Sequence, residues 1–200
     1  MITDRSRFTT EKEFLQALEA ALEGGVRAVQ LREKDLTPAA LLALARLVKV
    51  RTAKRGVKLF INDRVDIAEM AGADGVQLTE TSAPVREVRN RFPHLLIGTS
   101  VHSLDRARQA EAEGADFITF SPVFATPSKK NYGPPQGIER LREVCGAVRL
   151  PVLALGGINK KRVSTVRDQG AFGVALISGI WDSHDIKLET LKYMKCFGRR

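Results

Sequence analysis

Arg32 and Lys34 stand two residues apart in the stretch Gln30-Leu31-Arg32-Glu33-Lys34-Asp35. In extended chain such residues point the same way, and two cations on one side of a strand end suit a phosphate or a diphosphate. A solvated loop would carry the same charges, so this cluster taken alone leaves both readings open. Asn62 beside Asp63 pairs an amide with a carboxylate. Together they can hold an anion oxygen and a hard metal ion, because magnesium takes few protein ligands and completes its shell with substrate phosphate. The same Asn-Asp pair ahead of a helix is also an ordinary N-cap. Gly98-Thr99-Ser100-Val101-His102 offers hydroxyls and an imidazole, with His102 read as the start of a helix in preference to a base. In the longest polar stretch, Ser121 to Gly137, Thr126 and Ser128 flank Pro127 just ahead of Lys129, a grip for an anion. A loop of that length inside a compact domain is usually functional. Gly156-Gly157 and Ile177-Ser178-Gly179 add small residues whose backbone N–H groups can form a phosphate cup. Two anion sites are therefore expected: the cup for one phosphate, and Arg32, Lys34 and Lys129 with Asn62 and Asp63 for a more highly charged group. One phosphorylated and one diphosphate substrate would fit.

The elements that must position these residues alternate regularly. Helical spacing runs through 10–23, 38–54, 103–113 and 159–168; Phe14, Ala17, Leu18 and Ala21 fall at i, i+3, i+4 and i+7 on one face. Between the helices lie short apolar runs at Val26–Leu31, Val57–Ile61, Gly75–Leu78, Leu95–Gly98, Phe117–Phe120, Val152–Leu155 and Val174–Ile177. Most lack strict alternation, as parallel strands covered on both faces do. Gly72-Ala73-Asp74, Gly114-Ala115-Asp116 and Gly170-Ala171-Phe172 each lead from a helix end into a strand, and Gly24-Gly25 plays the same part earlier; glycine supplies the left-handed helix terminus there. With an opening strand at Met1–Thr3, about eight βα units result, which close into a (β/α)8 barrel more readily than into a doubly wound sheet. The expectation is an α/β fold: a small TIM barrel forming a single domain over 1–200, with its chemistry at the strands' carboxyl ends.

Composition agrees. The chain has 200 residues, 44% hydrophobic and 28% charged, enough for one domain with a real core. No apolar run approaches the ~18–20 residues a membrane span needs. MITDRSRF has charges where a signal peptide would have its apolar segment, so export is not expected. Cys145 and Cys196 alone make neither a disulfide framework nor a zinc site, so a reduced cytoplasmic setting is expected. The net charge of +9 favours anionic partners. Its cations are scattered, however, and aromatics are only 6%, which gives no platform for stacking bases. Small phosphorylated substrates are expected as partners, with no nucleic acid and no membrane; a homo-oligomer is compatible with a barrel of this size.

ITD at the start, QLREKD, FINDRVDIA, GADGVQL, GTSVHS, GADFITFSPVFATPSKK, LALGGI and GVALISGI, in that order and over nearly the whole chain, resemble the thiamine phosphate synthase and thiazole tautomerase superfamily. The synthases are (β/α)8 barrels that join a hydroxymethylpyrimidine diphosphate to a thiazole phosphate, releasing diphosphate with magnesium (Mg2+). The resemblance implies that Gln30, Arg32 and Lys34 bind the pyrimidine diphosphate, with Asn62, Ser100 and Lys129 as further contacts. It implies Asp63 as a magnesium ligand, Thr126 and Ser128 as loop hydroxyls on the thiazole phosphate, and Gly157, Ile177 and Ser178 as its phosphate cup. The implied mechanism is dissociative, with Arg32, Lys34 and Lys129 neutralising the leaving diphosphate and no general base required.

Two departures matter. Where the synthases read His-Leu-Gly-Gln-x-Asp, this chain has Gln77-Leu78-Thr79-Glu80-Thr81-Ser82, so Ser82 replaces the second magnesium carboxylate and Glu80 is its nearest substitute. The tautomerase branch is similar in the VQL ending and the stretch from Arg91 to Phe117. Its members carry a proton-transferring His where this chain has Pro122, and they lose the counterparts of Lys34 and Asp63, both kept here. The retained cations favour the transferase; a tautomerase-like isomerase is the alternative, and a non-catalytic thiamine-pathway sensor, motivated by Ser82, the third.

Overall fold

The computed structural model describes residues 1–126 and 134–198, which form two compact units, 1–77 with 177–200 and 78–176. The first holds helices α1 (Glu11–Glu23), α2 (Pro38–Ala53) and α3 (Val65–Met70), strands β1 (Ala28–Leu31), β2 (Lys58–Asn62) and most of β3 (Gly75–Leu78), and the late helices α8 (Ser178–Trp181) and α9 (Ile186–Phe197). α1, α2 and α9 begin where polar caps stand. The Thr10 hydroxyl accepts from the Glu13 N–H at 3.1 Å, and the Thr37 hydroxyl from the Ala40 N–H at 3.3 Å, ahead of Pro38 at the first helical position. β1, β2 and β3 pair in parallel, Leu31 opposite Ile61 and Asn62 opposite Gln77. Phe8 meets the rings of Phe14 and Trp181 edge to face, and the Trp181 indole N–H donates to the Ile2 carbonyl at 2.8 Å.

The second unit carries β4 (Leu96–Val101), β5 (Phe117–Phe120), β6 (Val152–Leu155) and β7 (Gly173–Ala175), again parallel and paired in chain order, with α4 (Val85–Arg91) ahead of them and α5 (Leu104–Ala112), α6 (Gly137–Ala147) and α7 (Lys160–Asp168) between them. Ile97, Ile118, Phe120 and Leu141 are fully buried at its centre.

The helix-to-strand connections are built as expected at the glycines: Gly25, Gly72, Gly114 and Gly170 all have positive φ. Beyond the turn, the aspartate of each Gly-Ala-Asp triplet locks the strand before it. Asp74 donates its N–H to the Leu59 carbonyl at 2.9 Å and accepts the Leu59 N–H at 2.9 Å; Lys49 and Lys58 reach the same carboxylate at 2.7 and 3.0 Å. Asp116 repeats this on Ile97, with bonds of 2.8 and 2.6 Å, under the Arg89 guanidinium. Burial alone would raise the Asp74 pKa; the Leu59 N–H and the two lysines outweigh it and hold the carboxyl below its ordinary value.

One expectation needs correction. Seven strands occur among the described residues, not the eight of a complete (β/α)8 barrel. The opening segment makes one isolated parallel bridge, Ile2 opposite Gln30, before turning into a 3-10 helix at Arg5–Arg7. The pairing stops after Thr3, whose N–H donates to the Gln30 carbonyl at 2.9 Å, because the 3-10 turn takes the next residues off the strand path.

Candidate functional site

In the first unit the register sets the site. Leu31 pairs with Ile61, so Arg32 and Asn62 leave adjacent strands at the same level. Gln30 is half-buried in β1, whereas Arg32 and Lys34 are exposed just beyond it, as the two-residue spacing predicts. Asn62 closes β2. Asp63 follows with φ +66°, the one positive φ outside glycine among the described residues. A left-handed Asp is tolerated but uncommon, and such geometry concentrates at functional positions. It also decides the N-cap question: α3 is capped at Arg64, with no side-chain cap bond, and Asp63 is not its cap. The Asp63 N–H donates to the Gln77 carbonyl at 2.8 Å, which fixes the turn and leaves the residue exposed. Ile177 precedes α8 and exposed Ser178 opens it; N–H groups in the first turn of a helix have no partner within it.

In the second unit, Ser100 lies opposite Thr119, whose hydroxyl donates to the Ser100 oxygen at 3.3 Å. His102 is bonded through Nδ1 to the Ser121 carbonyl, a link that holds the loop start. Gly156 and Gly157 have φ of +100° and +63°. A Cβ at Gly157 would lie 2.5 Å from the Ala125 carbonyl oxygen, and one at Gly156 2.8 Å from Pro122. These glycines are therefore required by the close approach of segment 122–125 as well as by any cup they form. Arg162 secures the same corner, donating to the Gly157 carbonyl at 2.7 Å with its guanidinium 4.5 Å from the Phe124 ring centre. Thr126 is half-buried; Ser128 and Lys129 lie outside the described residues.

Ser82 is engaged locally. Its hydroxyl accepts the Thr79 N–H at 2.6 Å and lies 3.0 Å from the Thr79 hydroxyl, while Glu80 is exposed. Among the described residues no group of three His, Cys, Asp or Glu side chains could hold a metal ion. Asp63, an exposed carboxylate, could hold a magnesium ion that takes its other ligands from substrate oxygens.

Sequence reasoning missed the buried carboxylate here. Glu33, between the two exposed cations, is buried. Its carboxylate accepts from the Thr3 hydroxyl and from the Arg5 N–H at 3.0 Å. Burial raises its pKa more than those hydrogen bonds lower it. The signal was present: if Arg32 and Lys34 share the outer side, Glu33 shares the inner side with Leu31. Nearby, Asp4 is held below its ordinary value despite its burial, by hydrogen bonds from Ser6 and Arg7 and by the charges of Arg7 and Arg32.

Parallel strands with cations, an amide and hydroxyls at their carboxyl ends, and a two-glycine turn after β6, define an α/β enzyme of phosphorylated metabolites. The model of the family described as thiamine monophosphate synthase matches residues 1–180. A Geobacter sulfurreducens relative is 49% identical over 181 residues, spanning 90% of this chain and 84% of its own. The thiamine-phosphate synthase of Roseiflexus castenholzii is 40% identical over 191 residues, 95% of this chain and 83% of its own. The solved thiamine phosphate pyrophosphorylase of Pyrococcus furiosus superposes with a TM-score of 0.90 at 35% identity, covering 98% of this chain and 93% of that one. The chain belongs to the thiamine monophosphate synthase family, transferases of thiamine biosynthesis. No helix among the described residues is long and apolar enough to cross a membrane.

Proposed function

We propose that this chain joins a hydroxymethylpyrimidine diphosphate to a thiazole phosphate, releasing diphosphate and forming thiamine phosphate. The observation that carries the reading is the pair Arg32 and Lys34, both exposed at the carboxyl end of β1 and level with Asn62 on β2, in a chain of this family. In the proposed assignment Gln30, Asn62 and Ser100 orient the pyrimidine diphosphate, and Arg32, Lys34 and Lys129 neutralise the charge that grows on the diphosphate as its C–O bond breaks. Such stabilisation and positioning account for catalysis when the substrate supplies its own electrons to the departing carbon. The thiazole nitrogen then forms the new C–N bond, with Thr126, Ser128, Gly157, Ile177 and Ser178 holding the thiazole phosphate. Asp63 would hold magnesium, which when bound supplies additional positive charge to the diphosphate oxygens. A single domain over 1–200 remains part of this reading. A cytoplasmic location and self-association are likewise proposals.

The test is direct. Pyrimidine diphosphate, thiazole phosphate and magnesium should yield thiamine phosphate, and Lys129→Ala should reduce the rate greatly. No product across a range of magnesium concentrations would overturn the proposal. The tautomerase alternative predicts conversion of a non-aromatic thiazole phosphate without any diphosphate substrate; buried Pro122 offers no proton for that step. The sensor alternative predicts ligand binding with no turnover in either assay.

A further inference from the structure

We infer that Glu33 is a positioning residue for the diphosphate-binding cations: with Thr3 it splints the chain after β1 so that Arg32 and Lys34 project together. The inference rests on the reading of those cations given above. Glu33 is 6% exposed and Thr3 1%, although the residues on either side of Glu33 face solvent. The Thr3 hydroxyl donates to one oxygen of Glu33 and accepts the backbone N–H of Arg32 at 3.0 Å; the other oxygen accepts the Arg5 N–H at 3.0 Å. One buried cluster therefore grips the main chain at Arg32, at the root of the first cation, and ties it to the opening segment. Beyond Lys34 the chain is tied again, where Asp35 receives the Arg5 guanidinium.

A carboxylate is a costly choice for this task. Burying it is unfavourable, and its negative charge offsets part of the pull that two cations exert on a diphosphate. An apolar side chain beside Leu31 would avoid both costs. It could not, however, accept two hydrogen bonds and so fix the backbone path through residues 32–34. Cations held in place before the anion arrives lose less freedom on binding it.

The experiment compares Glu33→Gln, Thr3→Val and Thr3→Ser with the unaltered chain. Each substrate is varied in turn at saturating levels of the other, and each variant's Tm is measured. Glutamine keeps the volume but has a single accepting oxygen, so the Thr3 hydroxyl and the Arg5 N–H can no longer be taken on separate oxygens as Glu33 takes them. Glu33→Gln and Thr3→Val should raise KM for the pyrimidine diphosphate about 5- to 30-fold, the effect of losing one such bond. KM for the thiazole phosphate should stay within about twofold, and Thr3→Ser, which keeps the hydroxyl, should restore the first KM. A fall in Tm with both KM values unchanged would assign the cluster to stability alone and overturn the inference. If Glu33→Gln does not fold, the Thr3→Val and Thr3→Ser pair decides the matter. Arg32→Ala and Lys34→Ala separate the two levels. If they leave KM for the pyrimidine diphosphate unaltered, the reading of the cations fails. If they raise it while Thr3→Val does not, only the positioning role fails.

Discussion

Gly157 and Gly72 have nearly the same backbone conformation, φ +63° and +62°, in very different surroundings. A methyl group on Gly72 would meet nothing within 4 Å, whereas one on Gly157 would lie 2.5 Å from the Ala125 carbonyl oxygen and 2.8 Å from the Phe124 Cβ. Alanine at either position takes the left-handed cost of about 1–2 kcal/mol. Only Gly157→Ala adds the cost of forcing atoms into a packed corner, about 1–3 kcal/mol. The difference between the two variants therefore isolates the close approach of segment 122–125 to the turn after β6. For a chain of this size about 2–4 °C of Tm accompanies each kcal/mol, so Gly157→Ala should melt about 2–12 °C below Gly72→Ala. Thermal unfolding followed by far-UV circular dichroism measures it. Equal losses in the two variants would refute the argument that contact, and not conformation alone, demands glycine at 157.

Asp74→Asn should cost about 1–3 kcal/mol at pH 7, the value of charge-assisted hydrogen bonds. Because the folded-state pKa lies below the ordinary 3.8, that stability is present above 3.8 and is lost as pH falls through the folded value; Tm curves of the two proteins against pH should converge on the acid side. Ser82→Asp keeps an acceptor for the Thr79 N–H and adds a carboxylate. It should lower the magnesium concentration needed for half-maximal turnover, and an unaltered magnesium titration would count against a second ligand at this position. Arg162→Ala removes one hydrogen bond to Gly157 and the stacking on Phe124, together about 1–2 kcal/mol. Arg162→Lys should recover only part of it in a denaturant titration, since an ammonium lacks the planar fork.

Much of the architecture was legible because amphipathic helices carry their period in the sequence and buried strands show as short apolar runs; α6 and α9, of 11 and 12 residues, were not among the expected helices. α1, α2, α5 and α7 begin within a residue of the expected starts, at Thr10, Thr37, Ser103 and Asn159, whose side chains cap them. α3 and α8, with six and four residues, are too short for any period to show. The strand-end placement of Arg32, Lys34, Asn62 and Asp63 followed from the same pattern. Hidden from it was the partner of each polar group. The glycines of Gly-Ala-Asp announced a turn, but nothing local says that Asp74 and Asp116 reach Leu59 and Ile97. Glu33 read as one more member of a charge cluster because its partner Thr3 lies 30 residues away. The close approach at Gly157 likewise depends on a contact that only the folded chain makes.

The third helix-to-strand connection departs from the other two. Where Asp74 and Asp116 stand, Phe172 keeps the backbone bond to the Val152 carbonyl at 2.8 Å but brings an exposed ring in place of a carboxylate. The amides of Leu59 and Ile97 are shielded by an acid that must let go before solvent can reach them; no side chain at 172 can guard Val152 in that way. The Val152 amide proton is thus set to trade with solvent before those of Leu59 and Ile97.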